Sequence, residues 1–211
     1  TRHQANTVID TSRPLFENVN TLLAHFNGIL RYSRGKYALG IKKAAEDVNQ
    51  YTINSKVYTV EDVSEEDIIG SINIEDSGSK GTFNSVSINF DDPQNRFEGR
   101  SVSVFNSRFV KEDRGIKKDG SLRTPFITNY YNARINANQF LESSRTAIKV
   151  NFTMTPKGLL YRAGDIIRIT YPRFQWSNKK YRITNLNFLE NCLVQVTAEE
   201  HSDNTFAISP E

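Results

Sequence analysis

The side chains best suited to catalysis or metal binding are few and scattered along this sequence. Its three histidines, at positions 3, 25 and 201, form no HxH or HExxH pattern and have no paired carboxylate beside them. A metal site requires ligands at a characteristic spacing. His25 lies next to the apolar stripe of a predicted helix, which favours a packed or half-exposed histidine over a ligand. The sequence therefore predicts neither a metal site nor a cofactor.

The single cysteine and the acidic residues give little more support to catalysis. Cys192 alternates with Val194 and Val196, which is the pattern of a small buried hydrophobic residue in a strand. Paired carboxylates, the requirement for glycoside cleavage, occur at positions 46–47, 65–67 and 199–200. Acidic pairs in turns are more often solvated, and no glycine-rich phosphate loop precedes a helix. We therefore predict that the protein is not an enzyme.

Composition places the chain among globular proteins with a sizeable core. It has 211 residues, of which 37% are hydrophobic and 24% charged, and 13 Phe and nine Tyr favour a core weighted toward sheet. A net charge of +3 is too small to imply a nucleic-acid or membrane partner. No apolar run approaches the ~20 residues of a membrane helix. The sequence begins with Thr1 and has no signal-peptide pattern, so we expect a fragment of a longer protein.

Two amphipathic helices and many short strands are predicted. The first helix has an apolar stripe and precedes a hairpin over "LRYSRGKYALGI"; the stripe comprises Leu15, Val19, Leu22, Leu23, Phe26 and Leu30. The second helix, near 129–144, has a stripe that includes Ala133 and Ala137 and is nearly uncharged. Alternation within 72–74 and 86–90 indicates an antiparallel pair, and alternation over 148–154 places Phe152 on a core face.

These elements predict an α+β fold that is mostly antiparallel β, with barrel-like sheets and two amphipathic helices. Short strands at regular spacing are typical of a small antiparallel barrel or meander. We expect a helix-plus-hairpin unit over residues 1–63 and a barrel-like unit over 64–211 that carries the second helix.

A basic loop over residues 108–123 is the strongest binding signal from charge alone. Its six cations are Arg108, Lys111, Arg114, Lys117, Lys118 and Arg123. With nearby phenylalanines they could bind nucleic-acid phosphates and bases. Three acidic residues interrupt the run, which favours a solvated loop of mixed charge.

Several segments, taken together, resemble one family. The run around the second helix has Leu122, Pro125, Phe126, Thr128, Asn129, Tyr131 and Ala133, followed by Ser144-Arg145. Four other segments agree in order: residues 6–39, "DIIGSINI", "FNSVSINFDDPQN" and "AGDIIRITYPRFQWSNKKYRI". This combination is similar to that of phage tail-tip hub proteins related to the host-specificity J protein of lambda-like phages.

The resemblance implies a structural role in a virion or prophage. Such hubs form a homotrimeric ring that closes the tail tube, with folds like those of baseplate hubs and type VI secretion spikes. The ring connects the tube to the receptor-binding fibre, and DNA passes through it without sequence-specific recognition. The implied location is the tail tip, assembled in the host cytoplasm beside other tail-tip and tail-tube proteins.

The uncharged polar side of the second helix has two interpretations. It can form a subunit interface, with Asn132, Asn136 and Gln139 as candidate residues, because interface cores disfavour charge. Alternatively, these residues simply face water on a single-domain helix. Two other function classes remain open from sequence: a carbohydrate- or receptor-binding adhesin module, and a tail-associated cell-wall hydrolase.

Overall fold

The computed structural model describes residues 9–33, 35–42, 50–53, 56–59, 62–76, 81–146 and 148–206. Its helices are α1 (Leu15–His25), α2 (Ser107–Glu112) and α3 (Tyr130–Ser144). Its strands are β1 (Gly28–Ser33), β2 (Lys36–Ile41), β3 (Gln50–Ile53), β4 (Lys56–Thr59), β5 (Ile68–Asp76), β6 (Ser85–Asp92), β7 (Glu98–Phe105), β8 (Asp119–Arg123), β9 (Ile148–Met154), β10 (Ile166–Tyr171), β11 (Trp176–Phe188) and β12 (Val194–Glu200).

The described chain divides into two compact units that are interleaved in sequence. The first unit is formed by described residues within 9–42 and 82–145, and the second by those within 50–81 and 146–206. This division does not coincide with the expected boundary between 63 and 64. The chain leaves the first unit, contributes strands to the second, and then returns, which local sequence patterns do not reveal.

A curled five-stranded sheet forms the second unit. Its strand order is β10-β11-β12-β9-β5, and every neighbouring pair is antiparallel. Val63, which precedes β5, donates its N–H to the Arg168 carbonyl at 2.9 Å and accepts from the Thr170 N–H at 3.0 Å. The chain thus bonds to one edge strand, β10, just before it forms the other edge strand, β5, and this curls the sheet into a half-barrel. The predicted mostly antiparallel, barrel-like fold is confirmed.

The predicted register of β9 is confirmed. Val150, Phe152 and Met154 are buried, whereas Asn151 is only partly buried and donates to the Glu75 carboxylate at 2.9 Å. Alternation along a strand sends successive side chains to opposite faces. The inward residues join a core with the apolar faces of β10, β11 and β12.

The first unit contains a three-stranded sheet covered on one face by α3. The strand order is β7-β6-β8, with β6 antiparallel to β7 and parallel to β8. The predicted antiparallel pairing of 72–74 with 86–90 is wrong, because β5 pairs with β9 in the other unit. Of the two candidate N-caps for α3, Thr128 and Asn129, the structure uses Asn129, whose side chain accepts from the Tyr131 N–H at 2.8 Å.

The predicted helix and hairpin at the start of the first unit are present, but much of their apolar surface is exposed. On α1, Leu23 is buried and Leu15 is exposed. β1 and β2 pair so that Tyr32 lies opposite Tyr37. Tyr37 and Leu39 share one face of this hairpin, and both are exposed. The hairpin therefore presents apolar side chains on one face.

The prediction of a buried strand cysteine is wrong. Cys192 lies in a turn that ends before β12 begins, and it is exposed. Its φ of 61° and that of Asn191, 63°, lie in the left-handed region. Alternation with Val194 therefore stops at the turn, a change of backbone direction that the side-chain pattern alone did not indicate.

Tyr181 carries a buried hydroxyl for which the described part of the chain supplies no hydrogen-bond partner. Burial raises the pKa of the phenol, with the Glu200 charge adding to the effect. We expect Tyr181→Phe to leave the free energy of unfolding unchanged or to raise it by up to about 1 kcal/mol, because an unsatisfied buried hydroxyl is costly. Urea denaturation measures this. A loss above about 1 kcal/mol would instead show that the hydroxyl is hydrogen-bonded in solution.

Candidate functional site

The three candidate interface residues lie largely within the first unit itself. Asn132 is 6% exposed and Asn136 is 9% exposed. Asn136 donates to the Asn132 carbonyl at 2.9 Å, and the half-buried Gln139 accepts from the Asn27 side chain at 2.6 Å. Much of the uncharged polar side of α3 is thus satisfied inside one chain. A role of these residues in subunit contact stays a prediction.

His25 fixes the segment that precedes α3. It is buried, and its Nδ1 lies 2.5 Å from the Thr21 carbonyl while its Nε2 accepts from the Phe126 N–H at 3.3 Å. Because a carbonyl can only accept, these contacts select the neutral imidazole with its proton on Nδ1. Burial lowers the pKa of His25, although the Thr21 hydrogen bond opposes that shift. The expected packed histidine is confirmed.

The Ser144-Arg145 pair clamps the backbone of Phe83. The Ser144 hydroxyl accepts from the Phe83 N–H at 3.2 Å, and Arg145 Nε donates to the Phe83 carbonyl at 2.9 Å. The Arg145 guanidinium also lies 4.7 Å from the ring centroid of Phe109. This motif therefore joins the end of α3 to the chain that enters β6.

The Asp113 carboxylate forms ion pairs with two nearby cations. It accepts hydrogen bonds from Arg145, from Lys118 at 2.9 Å and from Asn84 at 2.8 Å. These contacts, with Arg145 first, hold the pKa of its carboxyl well below the usual range. The fully buried Asn84 also donates to the Ile116 carbonyl at 2.7 Å. The loop after α2 is thereby tied to the interior of the first unit.

Other cations of the basic loop also pair with acids. Arg108 contacts Glu112 at 2.8 Å, and Lys117 contacts Asp119 at 3.1 Å. Such local pairing favours the solvated-loop interpretation over a nucleic-acid site, which would require cations available to phosphates.

Residues 176–179, with the sequence Trp-Ser-Asn-Lys, stabilise the junction of β10 and β11 in the second unit. Lys179 Nζ lies 5.3 Å from the Trp176 ring centroid and 3.2 Å from the Glu200 carboxylate. The Asn178 N–H, from a position within β11 where φ is 51°, donates to the Thr170 hydroxyl of β10 at 3.1 Å. These contacts hold the turn between β10 and β11.

The uncovered face of the three-stranded sheet carries mainly small polar side chains. We call this set the serine face, and it comprises Ser85, Ser87, Asn89, Ser101, Ser103 and Ser121. Charged side chains lie on the same face at both ends, with Asp119 beside Ser85 and Arg123 beside Asn89. Its strands are in register, so that Ser87 lies between Ser103 and Ser121. The Ser103 hydroxyl donates to the Ser87 hydroxyl at 3.2 Å. Along β6 and β7, residues of the serine face alternate with apolar residues that pack against α3.

A trough lies at one end of the serine face. A cavity of about 420 Å³ is lined by Asn89, Asp91, Phe97, Gly99, Ser101 and Arg123. A second cavity of about 710 Å³ shares Asp91, Phe97 and Arg123 with it, and its further lining residues are Asp10, Arg13, Asn18, Thr21, Pro125, Phe126 and Thr128. The two cavities thus meet around the same three side chains, all of them in the first unit.

Phe97 stands exposed at this trough on a strained backbone. Its side chain is 65% exposed, and its φ of 61° follows a φ of 52° at Arg96. Its N–H donates to the Asp92 carbonyl at 2.9 Å, which holds the turn. Left-handed conformations of non-glycine residues are uncommon and concentrate at functional sites. The trough and Phe97 were not predicted from the sequence, although the alternating serines in "NSVSINF" and "RSVSVF" were a signal for the polar face beside them.

The described residues contain no cluster of three or more His, Cys, Asp or Glu side chains placed to hold a metal ion. In the same part of the chain, no helix combines the length and apolarity needed to cross a membrane. The candidate site offers hydroxyl, amide and aromatic contacts, with charged side chains at both ends.

Comparison with known protein families decides the class of this protein. Residues 17–186 match the model of the Phage-tail_3 family, which describes phage tail proteins. The chain belongs to this phage tail protein family. The match spans both compact units, so the membership applies to the fold as a whole. The general prediction from the sequence, that this is a phage tail protein, is confirmed.

One curated relative is a baseplate hub protein. Over 208 residues the chain is 28% identical to the baseplate hub protein pb3 of Escherichia phage T5. The alignment covers 99% of this chain and 21% of that protein. The chain therefore spans about a fifth of the length of the relative that it matches.

Solved structures share the fold of this phage tail protein. A chain in the virion of a native gene transfer agent particle superposes with a TM-score of 0.68 at 15% identity, covering 92% of this chain and 40% of that one. The 43 kDa tail protein of prophage MuSo2 from Shewanella oneidensis gives 0.58 at 12% identity, covering 98% and 61% respectively. These similarities establish a fold that occurs in tail proteins.

Proposed function

We propose that this phage tail protein is a hub component at the tail tip, where it closes the tail tube and links it to the host-receptor-binding fibre. The observation that carries the proposal is the alignment of nearly the whole chain with a baseplate hub protein. The motifs shared with hubs related to the host-specificity J protein support the same assignment. Its partners would be other tail-tip and tail-tube proteins, with DNA passing through the ring without sequence-specific contacts.

Two carboxylates of the first unit are poorly suited to hydrolysis. A glycoside hydrolase needs a carboxylic acid whose pKa is raised so that it can donate a proton. Asp10, which lines the larger cavity, has its pKa lowered by hydrogen bonds from Ser12. Asp113 is likewise held ionised by cations that organise the fold. These carboxylates stabilise structure and are poorly suited to general acid catalysis.

Immunogold labelling of intact particles tests the location. Antibodies raised against this chain should label the distal tip of the tail and leave the length of the tube unlabelled. Labelling along the tube, or on the head, would contradict the hub assignment. Pre-immune serum applied to the same particles is the control for antibody specificity.

The proposed homotrimer requires an exposed apolar surface, and the β1–β2 hairpin supplies one. An isolated two-stranded hairpin is marginally stable in water, and exposed apolar patches mark interaction sites. Tyr37 and Leu39 lie on its apolar face, whereas Ala38 lies on the opposite face. Because Asn132 and Asn136 are buried in the chain, charges introduced there would disturb folding before they could report on assembly.

We expect a monomer–trimer equilibrium that shifts with concentration and is weakened by Leu39→Glu. A like charge repeated around a desolvated contact should raise the dissociation constant about tenfold or more. Light scattering over a concentration series measures this, and Ala38→Glu is the matched control because Ala38 is exposed on the other face. A dimer independent of concentration would contradict the ring. Equal effects of the two variants would place the contact elsewhere.

A further inference from the structure

Residues 62–67, which we call the strap, run from one edge strand of the curled sheet to the other. Val63 forms a single parallel bridge with Ile169 of β10. At the other end of the strap, the Asp67 carbonyl accepts from the Thr155 N–H at 3.0 Å, immediately before β5 begins. The strap therefore lies between the two edge strands of the second unit, where one bridge takes the place of a ladder.

Three ion pairs hold the strap to the rest of the second unit, and in each of them the acid belongs to the strap. The pairs are Asp62 with Arg168 at 2.5 Å, Glu65 with Arg173 at 3.0 Å and Asp67 with Lys157 at 2.9 Å. The first two pairs are largely exposed to solvent. Exposed ion pairs contribute little stability individually, and salt screens them. Because all three pairs join the same short segment, added salt weakens its attachment at several points together.

Within the strap, which the structure describes in full, Val63 is the one buried residue. It is 0% exposed and belongs to the core that includes Ile167 and Ile169. Segments with few buried apolar contacts open at a lower free energy than the sheets they pack against. The strap also has local structure of its own, since the Ser64 N–H donates to the Asp67 carboxylate at 3.0 Å. Its turn therefore does not depend on contact with the sheet.

We propose that the strap is a salt-releasable closure, which detaches from β10 as a unit while the five-stranded sheet stays folded. Detachment breaks the two backbone hydrogen bonds of Val63 and leaves the Arg168 carbonyl and the Thr170 N–H free at the edge of β10. Sheet edges with free N–H and C=O groups can pair with a further strand. The strap thus controls whether this edge is open or closed. This inference concerns the second unit alone and does not depend on where in the tail the protein lies.

Native-state hydrogen exchange of the purified chain, resolved for single amides by NMR, tests the proposal. The N–H groups of Val63 and Thr170 report on the strap, and the amides bonded between β9 and β12 report on the sheet. The two strap amides should exchange at least about tenfold faster than the sheet amides, because their exposure does not require the sheet to unfold. Raising the NaCl concentration from about 0.05 M to about 1 M should speed their exchange at least about threefold. The exchange of the sheet amides should change by less than about twofold.

Charge-neutralising variants separate the strap from ion pairs in general. A double variant, Asp62→Asn with Glu65→Gln, should speed exchange of the two strap amides at low salt and remove most of their response to salt. The matched control is Glu199→Gln, because Glu199 forms a similarly exposed pair with Lys149, at 3.1 Å, between β12 and β9. The sheet amides in the same spectra show that each variant is folded.

Three results would overturn the proposal. The first is a common exchange rate for the strap and sheet amides, which would mean that the strap opens only when the sheet unfolds. The second is exchange of the strap amides that does not respond to salt. The third is an equal acceleration of the strap amides in Glu199→Gln and in the double variant.

Discussion

Phe152→Ala should lower the free energy of unfolding of the second unit by about 3–5 kcal/mol. Phe152 is 3% exposed and packs in the core of the curled sheet, between Val150 and Met154 on the same face of β9. Removing its ring takes away apolar contacts and leaves a cavity that the neighbouring strands can close only in part. Because β9 is flanked by β12 and β5, neither side of the strand is free to move into the space.

Asn151→Ala is the matched control for this substitution. Asn151 is the adjacent residue, points to the other face and makes a hydrogen bond to an exposed glutamate. Its replacement should change stability by less than about 0.5 kcal/mol. Urea denaturation followed by the fluorescence of Trp176, the single tryptophan, reports on the second unit. Equal losses in the two variants would refute the register of β9.

Acidification from pH 6.5 to pH 4 should cost the second unit up to about 3 kcal/mol through His201 alone. His201 is buried, accepts from Arg182 at 3.2 Å through Nδ1 and donates to Asp203 at 3.0 Å through Nε2. These contacts select the neutral ring. Burial, followed by the Arg182 charge, lowers the pKa of His201 to about 4. Asp203 opposes this shift and Lys180 reinforces it.

The direction of this pH dependence follows from how many protons the unfolded and folded states bind. An unfolded histidine takes up a proton as pH falls below about 6.5, whereas the folded one remains neutral until about pH 4. The unfolded state therefore binds more protons in this window, and stability falls with falling pH. Above pH 6.5 the contribution is complete, and below pH 4 it has been lost.

His201→Gln isolates this contribution. Glutamine can still donate and accept hydrogen bonds but does not titrate. The free energy of unfolding, measured by urea denaturation between pH 6.5 and 4.5, should fall less steeply with falling pH in the variant. The difference in slope should correspond to about one bound proton. His25, whose pKa is also lowered by burial, is present in both proteins and cancels in the comparison. Parallel pH profiles for parent and variant would show that His201 does not control acid stability.

Local patterns in the sequence predicted the elements better than their partners. Alternation over 148–154 determined which residues of β9 are buried, because one face of that strand lies against a core. The spacing over 129–144 located α3, although it left the cap open between Thr128 and Asn129. By contrast, the pairing of β5 with β9 depends on residues far away in sequence. The sequence pattern predicted a hairpin between neighbouring strands, which would have paired β5 with β6. Pairing over such distances is decided by the assembled core.

The candidate site was less predictable for a related reason. The uncharged side of α3 was visible in the sequence, but whether Asn132 and Asn136 are enclosed by the same chain depends on tertiary packing. The serine face arises only when β6, β7 and β8 align, since each strand contributes just one to three of its residues. Arg96 and Phe97 both have left-handed backbone conformations, but neither is a glycine, so their residue types did not indicate the turn.

The clamp of Ser144 and Arg145 on Phe83 has a consequence for synthesis on the ribosome. Residues 82–145 lie between β5 and its partner β9, so β5 emerges some seconds before the strand that completes it. Because the clamp joins the two ends of this intervening segment, its folding shortens the effective loop between Asp76 and Ile148, which pair in the finished sheet. Loop-closure entropy that would oppose this pairing is thereby reduced beforehand. A nascent chain carrying Arg145→Ala should consequently remain susceptible to protease in β5 for longer after its release.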